Sequence, residues 1–471
     1  MLIGRHKEQH QLLAAANSQY SEFVAVYGRR RVGKTFLVRE TFNYKFTFYH
    51  TGLARKNTRE QLQSFHLALR RQGLTKAPQP SNWLEAFDML ETLIENSSDK
   101  KKVIFIDEMP WMDAPRSHFL TALEQFWNGF ATARRDVLLI VCGSATSWII
   151  NKIVRNHGGL HNRLTQRVFL RPFTLAECEE YVQHFGLGMT RRQILEGYMI
   201  LGGIPYYWSL LDKGLSLAQN IDALFFGRHA ILLHEYDELY ASLFNRPQPY
   251  TSVIEALGTK KVGMTRQQLV VASQLPDNGH LTTILAELEY CGFIRRYNCI
   301  GMKTRQAIYQ LIDNFTLFYF KFMHENKGND KHYWSKIIDK PLYYAWSGLA
   351  FERVCLLHSE AIKAKLGITG VLTDEYSWHK DGTANQAGAQ IDLVIDRNDG
   401  VINLCEIKFS KVPFSINKEY DAALQRKKAI FCESTRTTKA VHLTMITDQG
   451  LVDNPYARDI HSQVSEDDLF R

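Results

Sequence analysis

The segment GRRRVGKT at residues 28–35 constrains this chain more than any other feature of its sequence. An apolar run at residues 23–27 precedes it, and residues 33–42 are compatible with a helix. The two glycines let the backbone curl so that its N–H groups face an anion beside the positive end of the helix dipole. This pattern predicts a nucleoside triphosphate site, with a chance glycine turn as the alternative. The residues expected to form the site are Gly28, Arg29, Arg30, Arg31, Val32, Gly33, Lys34 and Thr35.

Two further runs complete the expected site. Residues 103–106 are apolar and are followed by Asp107 and Glu108 at the edge where ligands bind in parallel sheets. We expect Lys34 to reach the β/γ-phosphates, Thr35 and Asp107 to hold Mg²⁺, and Glu108 to act as general base for water. The alternative is an ordinary strand followed by an exposed acidic turn. A third apolar run, 137–142, ends beside Ser144, which is placed to sense the γ-phosphate.

Composition limits the class of protein. The chain has 471 residues, which suggests about three domains, and 45% hydrophobic residues argue against disorder. Its seven cysteines include no Cys-x-x-Cys pair, which argues against a disulfide scaffold or a zinc ribbon. No signal peptide or membrane-spanning run is predicted, so we expect a cytoplasmic protein without a membrane partner. A net charge of +8 permits a nucleic-acid partner without requiring one.

Strands that alternate with helices over the first part of the chain predict an α/β fold with a parallel sheet. Together with the three runs, this order resembles the AAA+/STAND group of P-loop ATPases, in which the sensor strand lies between the two Walker strands. Residues 3–8, Ile-Gly-Arg-x-x-Glu, resemble the segment of that group beside the adenine, and Pro205 in Gly-Ile-Pro resembles its helical-lid motif. The resemblance implies ATP and Mg²⁺ as ligands. It also implies an arginine at the γ-phosphate, for which we select Arg163; a solvated basic turn is the alternative, and a finger supplied in trans would require a homo-oligomer.

Residues 250–312 predict a winged helix, with helices at 252–257, 265–272 and 281–290 and strands at 293–297 and 307–311. The strands enclose a basic loop that contains Lys303 and Arg305. Seven basic residues against four acids suit contact with DNA. The third helix carries two glutamates and no arginine, so sequence-specific reading of bases is not expected. A lid or hinge module is the alternative.

The remaining residues predict the order α-β-β-β-α-β, with helices at 343–365 and 418–432 and strands at 370–378, 390–396, 401–409 and 441–446. A three-residue turn centred on Asp399 would set Asp392 opposite Glu406, with Lys408 on the same face. Two opposed carboxylates on an otherwise apolar face repel each other. A bound Mg²⁺ would remove that conflict.

This constellation resembles the PD-(D/E)xK restriction-like nucleases. The resemblance implies that Asp392 and Glu406 are metal ligands, that Lys408 is the catalytic lysine and that Glu352 is an additional carboxylate. Ile391 stands where the motif has proline. Two alternatives remain: a hairpin whose charges only form salt bridges, and a fold retained for binding without activity.

Nearly the whole chain resembles archaeal-type ATPases fused to a restriction-like nuclease. The resemblance implies a P-loop ATPase core at residues 1–170, a helical lid at 171–249, a winged helix at 250–312 and a nuclease-like domain at 313–471. We expect an ATP-hydrolysing, Mg²⁺-dependent protein that acts on DNA, with ATP turnover gating the nuclease. The alternatives are a signalling-type NTP switch whose C-terminal domain binds a partner, and a defence-type effector whose target is RNA.

Overall fold

The computed structural model describes residues 1–144, 148–154, 158–160, 162–244, 246–298, 306–326, 329–382 and 388–471. The chain forms two compact units, Met1–Pro172 and Phe173–Arg471. The predicted basic loop residues Lys303 and Arg305 lie outside the described residues. Within the described parts of the chain, no helix is both long and apolar enough to cross a membrane.

The first unit is built on a five-stranded sheet in which all pairs are parallel. Its strands are β1 Glu22–Tyr27, β2 Phe48–Thr51, β3 Lys102–Asp107, β4 Val137–Gly143 and β5 Gln166–Phe169, in the order β2-β3-β4-β1-β5. The expected parallel α/β sheet is therefore confirmed, and β4 lies between β1 and β3. β1, β3 and β4 coincide with the three apolar runs singled out in the sequence, whereas β2 and β5 were not singled out there.

Helices cover this sheet because their apolar positions recur at helical spacing. They span His6–Asn17, Lys34–Thr41, Thr58–Arg71, Trp83–Asn96 and Phe119–Gln125, the last continued by a π-helical turn Phe126–Phe130. Asn57 and Glu60 form a capping box at the start of the third of these helices. Every residue of β4 is buried, as expected for the central strand of a doubly covered sheet.

Helices dominate the start of the second unit, as the sequence predicts. They span Leu175–Phe185, Arg191–Leu201, Pro205–Trp208, Leu217–Phe225 and Glu235–Leu243. Capping boxes formed by Thr174 with Glu177 and by Thr190 with Gln193 fix where two of them begin.

Residues 248–311 contain the elements expected of a winged helix. The helices are Gln248–Gly258, Arg266–Ser273 and Gly279–Tyr290; the strands are β6 Met264–Thr265, β7 Ile294–Tyr297 and β8 Ile308–Leu311. The strands form an antiparallel sheet in the order β6-β8-β7. Thr265 caps the second helix, which therefore begins one residue after the predicted bound of 265. The winged-helix assignment itself stays a prediction.

The C-terminal segment forms a mixed five-stranded sheet in the order β13-β12-β11-β10-β9. Its strands are β9 Thr373–Lys380, β10 Ala389–Arg397, β11 Val401–Lys408, β12 Ala440–Thr447 and β13 Ser462–Val464; its helices are Asn314–Phe318, Tyr333–Ile337, Pro341–Leu357, Ser359–Lys365, Lys418–Thr435 and Glu466–Leu469. β9–β10 and β10–β11 pair antiparallel, whereas β11–β12 and β12–β13 pair parallel.

The prediction of a single helix at 343–365 is wrong, because the helix is interrupted at His358. The His358 backbone leaves the helical region, and its side chain is buried. Nδ1 lies 2.8 Å from the Val354 carbonyl oxygen, and Nε2 accepts the Leu175 N–H at 2.9 Å. The ring therefore ties the end of one helix to the start of another within the second unit.

Two sheets of the second unit share one hydrophobic core. Tyr297 of β7 and Ile308 of β8 pack in the same cluster as Tyr376 and Trp378 of β9 and Ile391 of β10. This packing brings the 248–311 segment against the strands that carry the predicted nuclease carboxylates.

Candidate functional site

The phosphate loop runs from the end of β1 to the helix Lys34–Thr41 and adopts backbone conformations that suit an anion cradle. Arg31 and Gly33 have φ of 67° and 89°. Gly28 lies so close to the end of β5 that an added Cβ would be 2.2 Å from the Leu170 carbonyl oxygen. An added Cβ at Gly33 would meet nothing within 4 Å, so the space beside the helix N-terminus is open.

Lys34 and Thr35 hold partners that prepare them for a nucleotide. Lys34 Nζ is buried and donates to the carbonyl oxygens of Gly28 and Arg29, both at 2.9 Å. Thr35 Oγ1 donates to Asp107 Oδ2 at 2.8 Å. A hydroxyl and a carboxylate joined in this way are the oxygen donors that Mg²⁺ prefers beside a phosphate.

Glu108 follows β3 with a φ of 46°, and its carboxylate is held by Ser144 at the end of β4. Ser144 Oγ lies 3.0 and 2.9 Å from the two carboxylate oxygens, and the Ser144 N–H donates at 3.3 Å. β4 can approach this turn because Gly143 has no side chain: an added Cβ would be 2.6 Å from Pro110 Cδ. The predicted base and the predicted sensor residue are therefore direct neighbours.

The residues of this site fit a nucleotide with Mg²⁺. An open glycine cradle, a buried lysine and the Thr35–Asp107 pair supply the N–H donors, the positive charge and the metal-binding oxygens that such a ligand needs. Arg5 joins them from the N-terminal segment: its side chain is buried, and Nη2 lies 3.5 Å from the Val32 carbonyl oxygen.

Two other predicted residues, Arg163 and Pro205, keep their predicted roles untested. Arg163 is exposed on the turn before β5, and its side chain makes no hydrogen bond or ion pair with the described residues. Pro205 begins the short helix Pro205–Trp208 in the second unit. Their roles at the nucleotide stay predictions.

In the C-terminal sheet, the predicted register of the β10–β11 hairpin is confirmed. Leu393 pairs with Cys405 and Asp396 with Ile402, which is the register of a turn centred on Asp399. The ladder on the other side of β10 shifts between Ile391 and Val394. Asp392 therefore lies at a bulge, a feature that redirects a side chain.

Asp392 is fixed on both its main chain and its side chain. Ser377 Oγ donates to the Asp392 carbonyl oxygen at 2.7 Å, and the Ile407 N–H donates to Asp392 Oδ2 at 3.2 Å. Burial raises the pKa of Asp392, and the nearby carboxylate of Glu406 raises it further.

Glu406 is surrounded by groups that favour its charged form. Lys408 Nζ lies 3.0 Å from Oε1, Lys427 Nζ lies 2.7 Å from Oε2, and the Tyr420 hydroxyl donates to Oε1 at 3.1 Å. Burial alone would raise the pKa of Glu406, but Lys408 and Lys427 outweigh burial and hold it below the ordinary value.

Glu352 lies on the helix Pro341–Leu357 and faces a lysine from the 248–311 segment. Lys261 Nζ is 2.5 Å from Glu352 Oε1 and 3.7 Å from Asp392 Oδ1. Burial, with Asp392 as the second cause, raises the pKa of Glu352 to about 7. The structure thus brings Glu352 and Asp392 together around one ammonium group.

The expectation of a carboxylate pair on an otherwise apolar face is wrong, because lysines distant in sequence balance the charge. Among the described residues, no group of three or more histidine, cysteine or carboxylate side chains is placed to hold a metal ion. The oxygen donors of Glu352 and Asp392 suit Mg²⁺ in their chemistry, and the ammonium of Lys261 stands between them as a cation would. The residues therefore fit a metal only when Lys261 leaves.

Comparison with known proteins indicates the class of the domain that carries the first site. Residues 2–211 match the family described as an ATPase domain predominantly from Archaea. This chain contains an archaeal-type ATPase domain. The phosphate loop, Asp107, Glu108 and Ser144 all lie within the matched residues of this ATPase domain.

Relatives of the whole chain are distant. It is 24% identical over 444 residues to an uncharacterized protein of Methanocaldococcus jannaschii, covering 91% of this chain and 92% of that protein. The Walker-type ATPase of Pyrococcus abyssi is similar with a TM-score of 0.46 and 17% identity, over 67% of this chain and 95% of that chain. The ORC2 protein of Aeropyrum pernix is similar with a TM-score of 0.42 and 13% identity, over 76% of this chain and 96% of that chain. At this distance no residue role transfers.

Sequence reasoning named the residues that meet at the phosphate loop, whose roles stay predictions, but it missed four contacts of the carboxylate site. Lys261 was counted only as positive charge, and the partners supplied by Ser377, Tyr420 and Lys427 were not predicted. One signal was present: Tyr420 and Lys427 are seven residues apart on the helix Lys418–Thr435, so they share a face. Nothing in the sequence places Lys261 beside Glu352.

Proposed function

We propose that this protein binds and hydrolyses ATP at the phosphate loop, and that its C-terminal segment cleaves phosphodiester bonds in DNA with a divalent cation. The observation that best supports the first half is the Thr35–Asp107 hydrogen bond with Glu108 beside it, held by Ser144. The match to an ATPase domain supports the same half.

In ATP hydrolysis, Lys34 would exchange the loop carbonyls for oxygens of the β/γ-phosphates and neutralise their charge. Glu108 would take the proton of the attacking water, with its carboxylate oriented by the Ser144 hydroxyl. Bound Mg²⁺ would supply charge neutralisation at the phosphates, held by Thr35 and Asp107.

For the second half, the support is the arrangement of Asp392, Glu406 and Lys408 at one end of the β10–β11 hairpin, with Glu352 nearby. Glu352, Asp392 and Glu406 would hold the cation. Lys408, whose ammonium is kept charged by Glu406, would stabilise the charge that builds on the attacked phosphate. A divalent cation would supply Lewis-acid polarisation of that phosphate.

DNA is the proposed substrate because a winged-helix order of elements precedes the carboxylates. Fewer of the basic residues in the 248–311 segment are available to a nucleic acid than their number suggests. Three of the five basic residues that the structure describes there have partners inside the protein: Arg266 with Asp277, Lys261 with Glu352, and Arg295 with Gln310 and Ser377. Lys260 and Arg296 are exposed, and Arg296 of β7 is the residue proposed to contact a phosphate backbone.

A signalling-type switch is the second candidate, favoured by the ion pairs that already neutralise Glu406 and Asp392. In that case ATP binding would persist with negligible turnover, and the C-terminal sheet would bind a partner without cutting it. RNA in place of DNA would instead indicate a defence-type effector.

The test is incubation of the full chain with ATP and Mg²⁺ or Mn²⁺ and a panel of single-stranded, duplex and branched DNA and RNA. The proposal expects ATP hydrolysis together with metal-dependent cleavage of DNA. ATP binding with negligible turnover and no cleavage of any nucleic acid would favour the switch, and cleavage confined to RNA would favour the effector.

A further inference from the structure

Lys261 lies on the turn between the helix Gln248–Gly258 and β6, yet its ammonium lies between carboxylates of the C-terminal segment. Glu352 Oε1 is 2.5 Å and Asp392 Oδ1 is 3.7 Å from Lys261 Nζ. Both carboxylate side chains are only 9% exposed. Two nearly buried acids from different elements thus share one positive charge.

The turn that carries Lys261 is held in place by hydrogen bonds from other side chains to its backbone carbonyls. The Lys261 carbonyl oxygen accepts from Gln310 Nε2 at 2.7 Å and from Arg353 Nη2 at 2.5 Å. Arg353 is buried and adjacent to Glu352 in the same helix, so the two neighbours bind the main chain and the side chain of one lysine. The Val262 carbonyl oxygen accepts from the Tyr297 hydroxyl at 2.7 Å.

Gly263 confirms how tightly this turn approaches β8. Its φ is 87°, and an added Cβ would lie 2.3 Å from the Tyr309 carbonyl oxygen. The backbone position of Lys261 is therefore set by four surrounding residues.

In contrast to the turn, the Lys261 side chain is free to leave. It is 41% exposed, whereas its two carboxylate partners are almost fully enclosed. A long lysine can swing its ammonium into water while its backbone stays in place. Its departure would remove the one ammonium that contacts both buried carboxylates, leaving them with the more remote charges of Arg353 and Lys408. A divalent cation would relieve that deficit.

We propose that Lys261 is a built-in competitor of the divalent cation, which keeps the Glu352–Asp392 site closed until the metal or a bound partner displaces its ammonium. The proposal rests on the proposed metal-dependent function of these carboxylates. It adds that the 248–311 segment regulates metal access through one side chain.

The test compares Lys261→Met, which keeps the aliphatic stem and removes the charge, with Lys260→Met at the exposed neighbouring lysine. Mn²⁺ binding to the nucleotide-free full chain is measured by calorimetry. Binding that is lost in Asp392→Asn is assigned to the carboxylate site. We expect Lys261→Met to lower the half-saturating Mn²⁺ concentration by about tenfold, because a competing ion pair is lost. Lys260→Met should bind like the parent.

Melting temperature gives a readout that does not depend on activity. Without metal, Lys261→Met should melt below the parent, since the two carboxylates lose the ammonium that they share. Mn²⁺ should restore the melting temperature. Lys261→Gln repeats the comparison with a side chain whose head group is polar but uncharged.

Each other outcome has a defined meaning. Suppose the parent and Lys261→Met bind Mn²⁺ with equal affinity, and Asp392→Asn abolishes that binding in both. The competitor role of Lys261 would then be overturned, and the metal site would stand. Weaker binding in Lys261→Met, or the same gain in Lys260→Met, would also overturn it. If no variant shows Mn²⁺ binding that depends on Asp392, both the competitor role of Lys261 and the metal site are overturned.

Discussion

Lys34 and Glu108 each hold a hydrogen-bond partner that a bound nucleotide would displace or share. Lys34 is bonded to the two carbonyl oxygens that begin the loop, and Glu108 is bonded to Ser144. The residue types were predictable from the motif, because the chemistry of phosphate binding fixes them. The Ser144–Glu108 contact was not, since it depends on how closely β4 passes the turn after β3.

Lys34→Ala should weaken ATP binding by about tenfold to a hundredfold, because a charge-assisted contact to the phosphates is lost. Titration calorimetry with ATP and Mg²⁺ measures the change, and Lys45→Ala, at an exposed lysine of the same unit, is the control. An unchanged affinity in Lys34→Ala would show that the nucleotide binds elsewhere.

Glu108→Gln keeps the shape of the side chain and removes the base. We expect ATP to bind as in the parent while hydrolysis falls by about 10²–10⁴-fold. Ser144→Ala should reduce hydrolysis less, by about tenfold, because the base remains but loses its orientation. Phosphate release assays compare both with Glu95→Gln, an exposed control; parental turnover in Glu108→Gln would mean that another group activates the water.

At the scale of elements, backbone geometry positions both the phosphate loop and the carboxylate site. Gly28 lies against the end of β5, and a bulge in β10 sets Asp392. The hairpin register followed from the turn residues around Asp399, whereas the bulge depends on pairing with β9 and has no signal in β10 alone. Long-range contacts of this kind are what sequence periodicity leaves undetermined.

Gly28→Ala should destabilise the first unit by about 2 kcal/mol or more, since a Cβ would overlap the Leu170 carbonyl and φ is 151°. Gly129→Ala is the matched control, because an added Cβ there meets nothing within 4 Å. It should change stability by less than about 1 kcal/mol. Urea unfolding measures both, and equal midpoints would contradict the packing described here.

At the scale of the whole molecule, each compact unit encloses a neutral histidine. Burial lowers the pKa of His50 in the first unit and of His358 in the second to about 4 in both cases. The order of the elements in both units was largely predictable, because capping residues and apolar runs are local signals. The break at His358 was not, since it depends on a partner in another helix, at Leu175.

The histidines predict how stability depends on pH. Because the folded-state pKa of His358 lies below the unfolded value of about 6.5, the unfolded chain binds more protons between pH 4 and 6.5. The contribution of His358 is therefore complete above pH 6.5 and is lost as pH falls, by up to about 3 kcal/mol. His358→Asn should flatten this part of the stability curve, whereas the exposed His184→Asn should not; equal slopes would contradict the buried neutral ring.

The central proposal is that one chain joins an ATPase to a separate metal-dependent phosphodiesterase, and paired assays on single preparations test it most directly. ATP hydrolysis and Mg²⁺-dependent cleavage of DNA are measured for the parent, Asp392→Asn, Lys408→Ala and the exposed control Asp453→Asn. We expect the first two variants to lose cleavage by at least about 10²-fold, with ATP hydrolysis within about twofold of the parent. The control should match the parent in both assays. Parental cleavage in Asp392→Asn and Lys408→Ala, or a parent that cuts no nucleic acid with any metal or nucleotide, would contradict the account.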